Sequence, residues 1–304
     1  MQQAVEDLPV FDRVVAALRP LRDQLKLGRF LGAVVVDHKP RILYRFLVAE
    51  GSPVTNLGPQ VILKVYGDQP RGEGPLQQLW RARNLDVPRL VFGEASRCSW
   101  LVMEHLDIRP LDFRSDDQLN VVDQLASISA IMHRSCDELT PSLRPLSTVM
   151  VPRWKAAASA LSRSGYTLPS FWLSKATTAY TGGNPRPLHG DLAPANMGKT
   201  VDGRLIIFDA SALYGPLSFD AARWSARVGR GRHGPEALLK RWMAVEMLPP
   251  APDPEVLLAA ECVLEAGSRE IVRSRSAHRS CSNSPTPITS DVTELLNVAS
   301  RYLR

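Results

Sequence analysis

The chain changes its periodicity once. Up to about residue 106 its apolar residues come in short runs of strand type, and beyond about residue 107 they recur at helical spacing. A chain written this way is expected to fold as an α+β protein, with a small N-terminal lobe on an antiparallel sheet and a mainly helical C-terminal lobe. GAVVVDHKPRILYRFLVAEG (Gly32 to Gly51) reads as two strands around a turn at Asp37 to Pro40, and PQVILKVYG (Pro59 to Gly67) as a third. GPLQQLWRARNLDVP, which follows Glu73, puts Leu76, Leu79 and Trp80 at helical spacing, with Pro75 early enough to be tolerated in a first turn. RLVFGEA and SWLVMEHL then read as two more strands, the second buried. The first lobe, residues 1–106, is thus a sheet with one helix.

The second lobe, residues 107–304, contains DQLNVVDQLASISAIMHRS, with Leu119, Val122, Leu125, Ile128 and Met132 on one helical face; RWKAAASALSR and PEALLKRWMAVEML are also helical. Within it only RPLHGD and GRLIIFDA read as strands, each delivering an acidic residue to its end. SRSAHRSCSNSPTP (Ser274 to Pro287) reads as a loop before a last helix from about Asp291. No internal repeat is present.

Composition narrows the function classes. No apolar run approaches the eighteen or so residues of a membrane span, and MQQAVEDLPVFDRVV lacks the basic-then-apolar pattern of a secretory signal, so the cytoplasm is the default expectation. Cys98, Cys136, Cys262 and Cys281 lie far apart without a CxxC pair and read as reduced thiols rather than a zinc site. The net charge of +6 is spread along the chain and no aromatic-basic recognition motif accompanies it, which argues against nucleic acid. RVGRGRH (Arg227 to His233) and REIVRSRSAHR (Arg269 to Arg279) read as solvated basic surface, and a phosphate-rich ligand would also account for the basic bias.

The chemistry concentrates in LHGDLAPANMG, Leu188 to Gly198. Asp191 precedes Asn196 by five residues, the separation found in the kinase catalytic loop HRDLxxxN. Phosphoryl transfer from a nucleotide asks the protein mainly to hold polyphosphate and metal and to orient the acceptor hydroxyl. Asp191 is the candidate catalytic residue, orienting the hydroxyl and taking its proton; Asn196 offers magnesium a hard oxygen ligand. His189 is expected to brace the loop. Asp209, in IIFDA, follows after the length of a short hairpin, where a second magnesium ligand belongs. Lys64 stands in the otherwise apolar strand VILKVYG and needs a partner if buried; Glu73, at the head of the next helix, would orient its amine toward the phosphates. A strand lysine can also snorkel to solvent, and Glu73 can simply favour a helix N-terminus.

HGDLxxxN followed by IIFD and YGxxxFDxAxW resembles the aminoglycoside phosphotransferase-like kinases, a family that includes fructosamine and choline kinases, across nearly the whole chain. IIFDASALYGPLSFDAA is especially similar to fructosamine kinases. The resemblance implies a two-lobed protein-kinase-like fold, ATP and magnesium as cofactors, and phosphorylation of a hydroxyl on an antibiotic, sugar or amino alcohol. It further implies that LVMEHL is the hinge, with Met103 as gatekeeper and the backbone of Glu104, His105 and Leu106 reading adenine, and that Asp220 is a structural acid. The family's phosphate loop often carries glycine, whereas DHKPR (Asp37 to Arg41) has none and offers Lys39 or Arg41 instead. The tryptophan and asparagine signature of fructosamine kinases is missing. For the cationic acceptors usual in the family, candidate acids are DFRSDD (Asp112 to Asp117) and Glu261, Glu265 and Glu270, which otherwise read as a solvated face. Two alternatives stand beside this reading: a catalytically silent nucleotide-binding protein of the same fold, and a protein kinase, although AS follows Asp209 where protein kinases have FG.

Overall fold

Five antiparallel strands form the principal sheet. The computed structural model describes residues 8–35, 41–66, 72–95, 98–111, 117–134, 142–229, 233–246, 254–279 and 290–304. In chain order, α1 (Leu8–Gln24) leads into β1 (Leu27–Val35), β2 (Arg41–Val48) and β3 (Gln60–Tyr66), then α2 (Glu73–Ala82), β4 (Leu90–Ala95) and β5 (Cys98–Glu104). Each strand of the sequence reading is present; β1, β2 and β3 pair in succession, and β5 then lies between β3 and β4, so the full order is β1-β2-β3-β5-β4. The turn at Asp37 to Pro40 lies outside the described residues, and with it Lys39; of Arg41 only the backbone is described.

Strand alternation sorts this sheet into two faces. Val61, Leu63 and Val65 point to one face, where Trp100 and Val102 of β5 join them, and α1 covers it with Val14, Ala17 and Leu21, spaced three and four residues apart. Ile62, Lys64 and Tyr66 point to the other face, beside Leu101 and Met103. Helix α1 has no counterpart in the sequence reading. Pro20 sits inside it, and an internal proline reads as a helix breaker when only local pattern is considered.

The helical part comprises α3 (Gln118–Met132), α4 (Leu146–Arg163), α5 (Phe171–Thr181), α6 (Phe219–Val228), α7 (Pro235–Glu246), α8 (Pro254–Arg279) and α9 (Ser290–Tyr302). Helix α8 is its axis: it packs against α4, α5, α6, α7 and α9, and Leu257, Leu258, Ala259, Ala260, Cys262 and Val263 are all fully buried. A helix buried on every side loses the one-faced stripe by which helices are read from sequence. Gly267 lets α8 and α4 close together, since an added Cβ would fall 2.5 Å from the Cα of Ala157. Because α8 continues to Arg279, residues 274–279 of the expected serine-rich loop are helical; 280–287 lie outside the described residues. Short strands complete the set: β6 (Arg109–Pro110), β7 (Arg144–Pro145), β8 (Pro185–Leu188), β9 (Met197–Lys199), β10 (Leu205–Ile207) and β11 (Leu213–Pro216), with β7-β11-β8 forming one small sheet and β10-β9-β6 another.

The chain divides into two compact units, residues 1–109 with 198–208, and residues 110–197 with 209–304. In the first, the returning segment is tied down by Arg204, whose Nη1 donates to Asp86 at 2.8 Å, and by the Ile207 amide, which donates to the Asp86 carbonyl at 3.4 Å. No helix among the described residues is long and apolar enough to cross a membrane. Cys98 and Cys262 are buried free thiols; Cys136 and Cys281 lie outside the described residues.

Candidate active site

In the first unit Lys64 and Glu73 meet. The Lys64 Nζ donates to Glu73 Oε1 at 2.8 Å, with both side chains only 2% exposed. An unpaired ammonium at this depth would carry a large desolvation cost, so the strand position and the helix start are selected as a pair. The Tyr66 hydroxyl donates to Glu73 Oε2 and the Gln77 amide to Oε1 at 3.0 Å, which fixes the carboxylate from three sides. Lys64 therefore does not snorkel, and Glu73 does more than begin a helix. Met103 is buried with Tyr66, Leu90 and Leu101. The amides of Glu104 and His105 donate to the carbonyls of Arg89 and Gln60 at 3.0 and 3.1 Å, and the Glu104 carboxylate binds Arg89, so the next amide along the segment is that of Leu106.

In the second unit the Leu188–Gly198 loop hangs from Asp220. This carboxylate, fully buried at the start of α6, accepts the amides of His189 at 2.8 Å and Gly190 at 2.9 Å and contacts His133 Nε2 at 3.3 Å. Burial pushes its pKa up, but His133, then His189 and the Gly190 amide, outweigh burial and leave it below the usual carboxylate value. Gly190 is required by the turn: its φ is +76° and a Cβ there would lie 2.7 Å from Leu213. The loop so held presents Asp191, and the single 3-10 turn Pro194–Asn196 folds Asn196 back on it, Nδ2 donating to the Asp191 carbonyl at 2.8 Å and to Oδ2 at 3.4 Å. Asp209 has a left-handed backbone, φ +61°, and two residues later the Ser211 amide donates to the His189 carbonyl at 2.7 Å, which anchors the Asp209 segment beside the loop.

The donor set fits a hard divalent cation. With its amide nitrogen turned to Asp191, Asn196 keeps its side-chain oxygen for a ligand, and Asp209 supplies a carboxylate. No group of three or more His, Cys, Asp or Glu that could hold a metal occurs among the described residues.

The sequence reading missed the arginines. Arg223 of α6, 7% exposed, donates Nη2 to Asp191 Oδ1 at 2.9 Å and Nη1 to Glu261 Oε2 at 2.7 Å, and Arg227, one turn on, reaches the same Asp191 oxygen at 3.1 Å. Burial opposes the Arg223 charge, but Glu261 and Asp191 outweigh it and hold its pKa above the ordinary arginine value. Glu261 also accepts the Tyr180 hydroxyl at 2.9 Å; burial, and then the Glu261 charge, push that phenol's pKa up. The missed signal was an arginine repeated at i and i+4 among small and apolar residues in FDAARWSARV.

The acids set aside for a cationic acceptor are engaged elsewhere. Glu261 and Glu270 are 2% and 1% exposed, so they do not form a solvated face; Glu265 pairs with Arg269 at 2.9 Å, and Glu270 is bound by Ser164 and Arg273. Of DFRSDD only Asp117 is described, and its side chain caps α3 by accepting the Leu119 amide at 3.0 Å. The basic clusters are likewise partly internal, since Arg227, Arg269 and Arg273 all carry ion pairs.

No family model matches the chain, and no curated protein matches it. Solved structures do. The choline kinase LicA from Streptococcus pneumoniae is similar with a TM-score of 0.58 at 13% identity, covering 94% of this chain and 98% of that one. The amicoumacin kinase hAmiN, in complex with AMP-PNP, Ca2+ and Ami, gives a TM-score of 0.56 at 13% identity, covering 100% and 96%. The streptomycin-ATP-APH(2")-IIa ternary complex gives 0.53 at 14%, covering 95% and 97%. The chain thus has the α+β protein-kinase-like fold of these small-molecule kinases.

Proposed function

We propose that this protein is a phosphotransferase that moves the γ-phosphoryl group of ATP to a hydroxyl of a small molecule. The observation that carries the reading is the Asp191–Asn196 pair held on a loop suspended from Asp220: a carboxylate for the hydroxyl and a carboxamide oxygen for a cation, on one rigid support. The AMP-PNP and ATP bound in two of the similar structures support the same donor here. In the reaction the acceptor oxygen bonds to the γ-phosphorus and the bond between that phosphorus and its β–γ bridging oxygen breaks. ADP leaves with the electron pair, and the hydroxyl proton passes to the Asp191 carboxylate.

Each residue has a defined task. Lys64, aimed by Glu73, binds the phosphates as a point charge. Met103 and the backbone of Glu104 to Leu106 receive the adenine, with the Leu106 amide as its donor. Asn196 and Asp209 would hold magnesium, which when bound neutralises charge on the phosphate oxygens. Arg223 is a positioning residue that keeps the Asp191 carboxylate in one orientation. ATP turnover against a panel of hydroxylated metabolites and antibiotics, with Asp191→Asn as the blank, tests the proposal. Acceptor-dependent ADP release by the wild type alone is expected; no phosphorylated product from any acceptor, with Asp191→Asn changing only thermal stability, would leave the loop a structural relic.

A further inference from the structure

Several guanidiniums gather around Asp191. Arg223 and Arg227 share one Asp191 oxygen, and Arg153, on α4, lies within electrostatic reach of Asp191, Glu261, Arg223 and Arg227. Among the described residues Arg153 has no carboxylate within ion-pair distance, although it is half-buried. The Nε of Arg223 is buried with no acceptor. Among the described residues three guanidiniums thus face Asp191 and Glu261, the latter already bonded to Tyr180 and Arg223, while Glu265, which also acts on Arg227, is paired with Arg269. Burial lowers the pKa of both Arg153 and Arg227, and the charge on Arg223 lowers each further. Arginine does not release its proton in proteins, so the Arg153 charge, without a carboxylate partner among the described residues, calls for an anion.

We infer that Arg153, with Arg227 and Arg223, forms a subsite for an oxyanion on the acceptor itself, so that the substrate is a hydroxyl compound bearing a carboxylate or phosphate rather than an amine. The inference rests on the phosphotransferase reading and sets its substrate class. The guanidinium fork matches the paired oxygens of a carboxylate or phosphate. An anion there satisfies Arg153 and takes over part of the load that Asp191 Oδ1 carries alone, while the neighbouring hydroxyl of the same molecule meets the Asp191 carboxylate. A cationic amine would face three guanidiniums whose neighbouring acids among the described residues, Asp191, Glu261 and Glu265, are already bonded to arginines.

Binding and turnover are measured separately on the full chain. Inorganic phosphate is titrated calorimetrically at constant ionic strength into the wild type, Arg153→Met and Arg163→Met. The last variant removes an equal charge from the exposed end of the same helix, where Arg163 bonds only Ser159. Phosphate should bind the wild type and Arg163→Met alike and bind Arg153→Met roughly tenfold or more weakly, the loss expected for one charge-assisted contact. Magnesium-ATP turnover is then run with glycerate, glucose 6-phosphate, choline and kanamycin. Turnover with glycerate supports a carboxylate and with glucose 6-phosphate a phosphate. Turnover with choline or kanamycin, or phosphate binding indifferent to Arg153→Met, overturns the inference and leaves the kinase reading standing. Phosphate binding without any ATP binding overturns the kinase reading and the acceptor assignment with it.

Discussion

Arg223 donates to Asp191 across 2.9 Å from a side chain that is almost wholly buried. The carboxylate proposed to receive the acceptor proton is therefore oriented before any substrate arrives, and its second oxygen faces Asn196 at 3.4 Å. Preorganisation of this kind removes reorientation from the reaction step.

Asp191→Asn should leave ATP affinity nearly unchanged and reduce turnover by a factor on the order of a hundred or more, because the lost group acts mainly in the transition state. Paired ATP titrations and steady-state kinetics measure both quantities; equal losses in binding and turnover would mean that Asp191 acts on the nucleotide.

Lys64→Met and Glu73→Gln should not be additive. The two groups are joined at 2.8 Å in a buried setting, so once the lysine is gone the glutamate has little left to orient, and a double-mutant cycle on ATP turnover should give a coupling of about 1 kcal/mol or more. Full additivity would reduce Glu73 to a helix-start residue.

Asp209→Ala should abolish the dependence of ATP affinity on magnesium. Calorimetry of wild type and variant with and without the ion tests it. A wild type that binds ATP equally well in both conditions would remove Asn196 and Asp209 from the metal assignment.

Asp220 should make the fold sensitive to acid. Its pKa is below the usual value in the folded chain, so its contribution is fully present above the unfolded-state value near pH 4 and is lost as pH falls through its lower folded value. Asp220→Ala leaves the His189 and Gly190 amides without their acceptor, a destabilisation of ~2–4 kcal/mol. Melting curves from pH 7 to pH 2 should show the wild type converging on the variant at the acid end; parallel curves would assign the acid response to other carboxylates.

The Leu188–Gly198 loop, the Lys64–Glu73 pair and the positions of the strands were legible because each rests on local pattern: a fixed spacing, a charge in an apolar strand, alternation with period two. What escaped depends on tertiary packing. Helix α1 carries Pro20 and declares itself only through Val14, Ala17 and Leu21 against the sheet. Glu261 and Glu270 stand at ordinary helical spacing, and only the packing of α8 against its neighbouring helices turns them from surface charges into ion-paired buried residues. Arg153 carries no sequence signal, since its significance comes from α6 and α8 beside it.

The return of residues 198–208 to the first unit sets the order of events at the ribosome. The strands through Glu104 emerge early, yet Asp86 cannot acquire its bonds to Arg204 and Ile207 until the whole intervening stretch has been synthesised, a delay on the order of ten seconds at ordinary elongation rates. The N-terminal unit is thus an interrupted module whose last piece arrives after much of the second unit's chain, and a fragment ending at residue 109 would emerge without its closing hairpin.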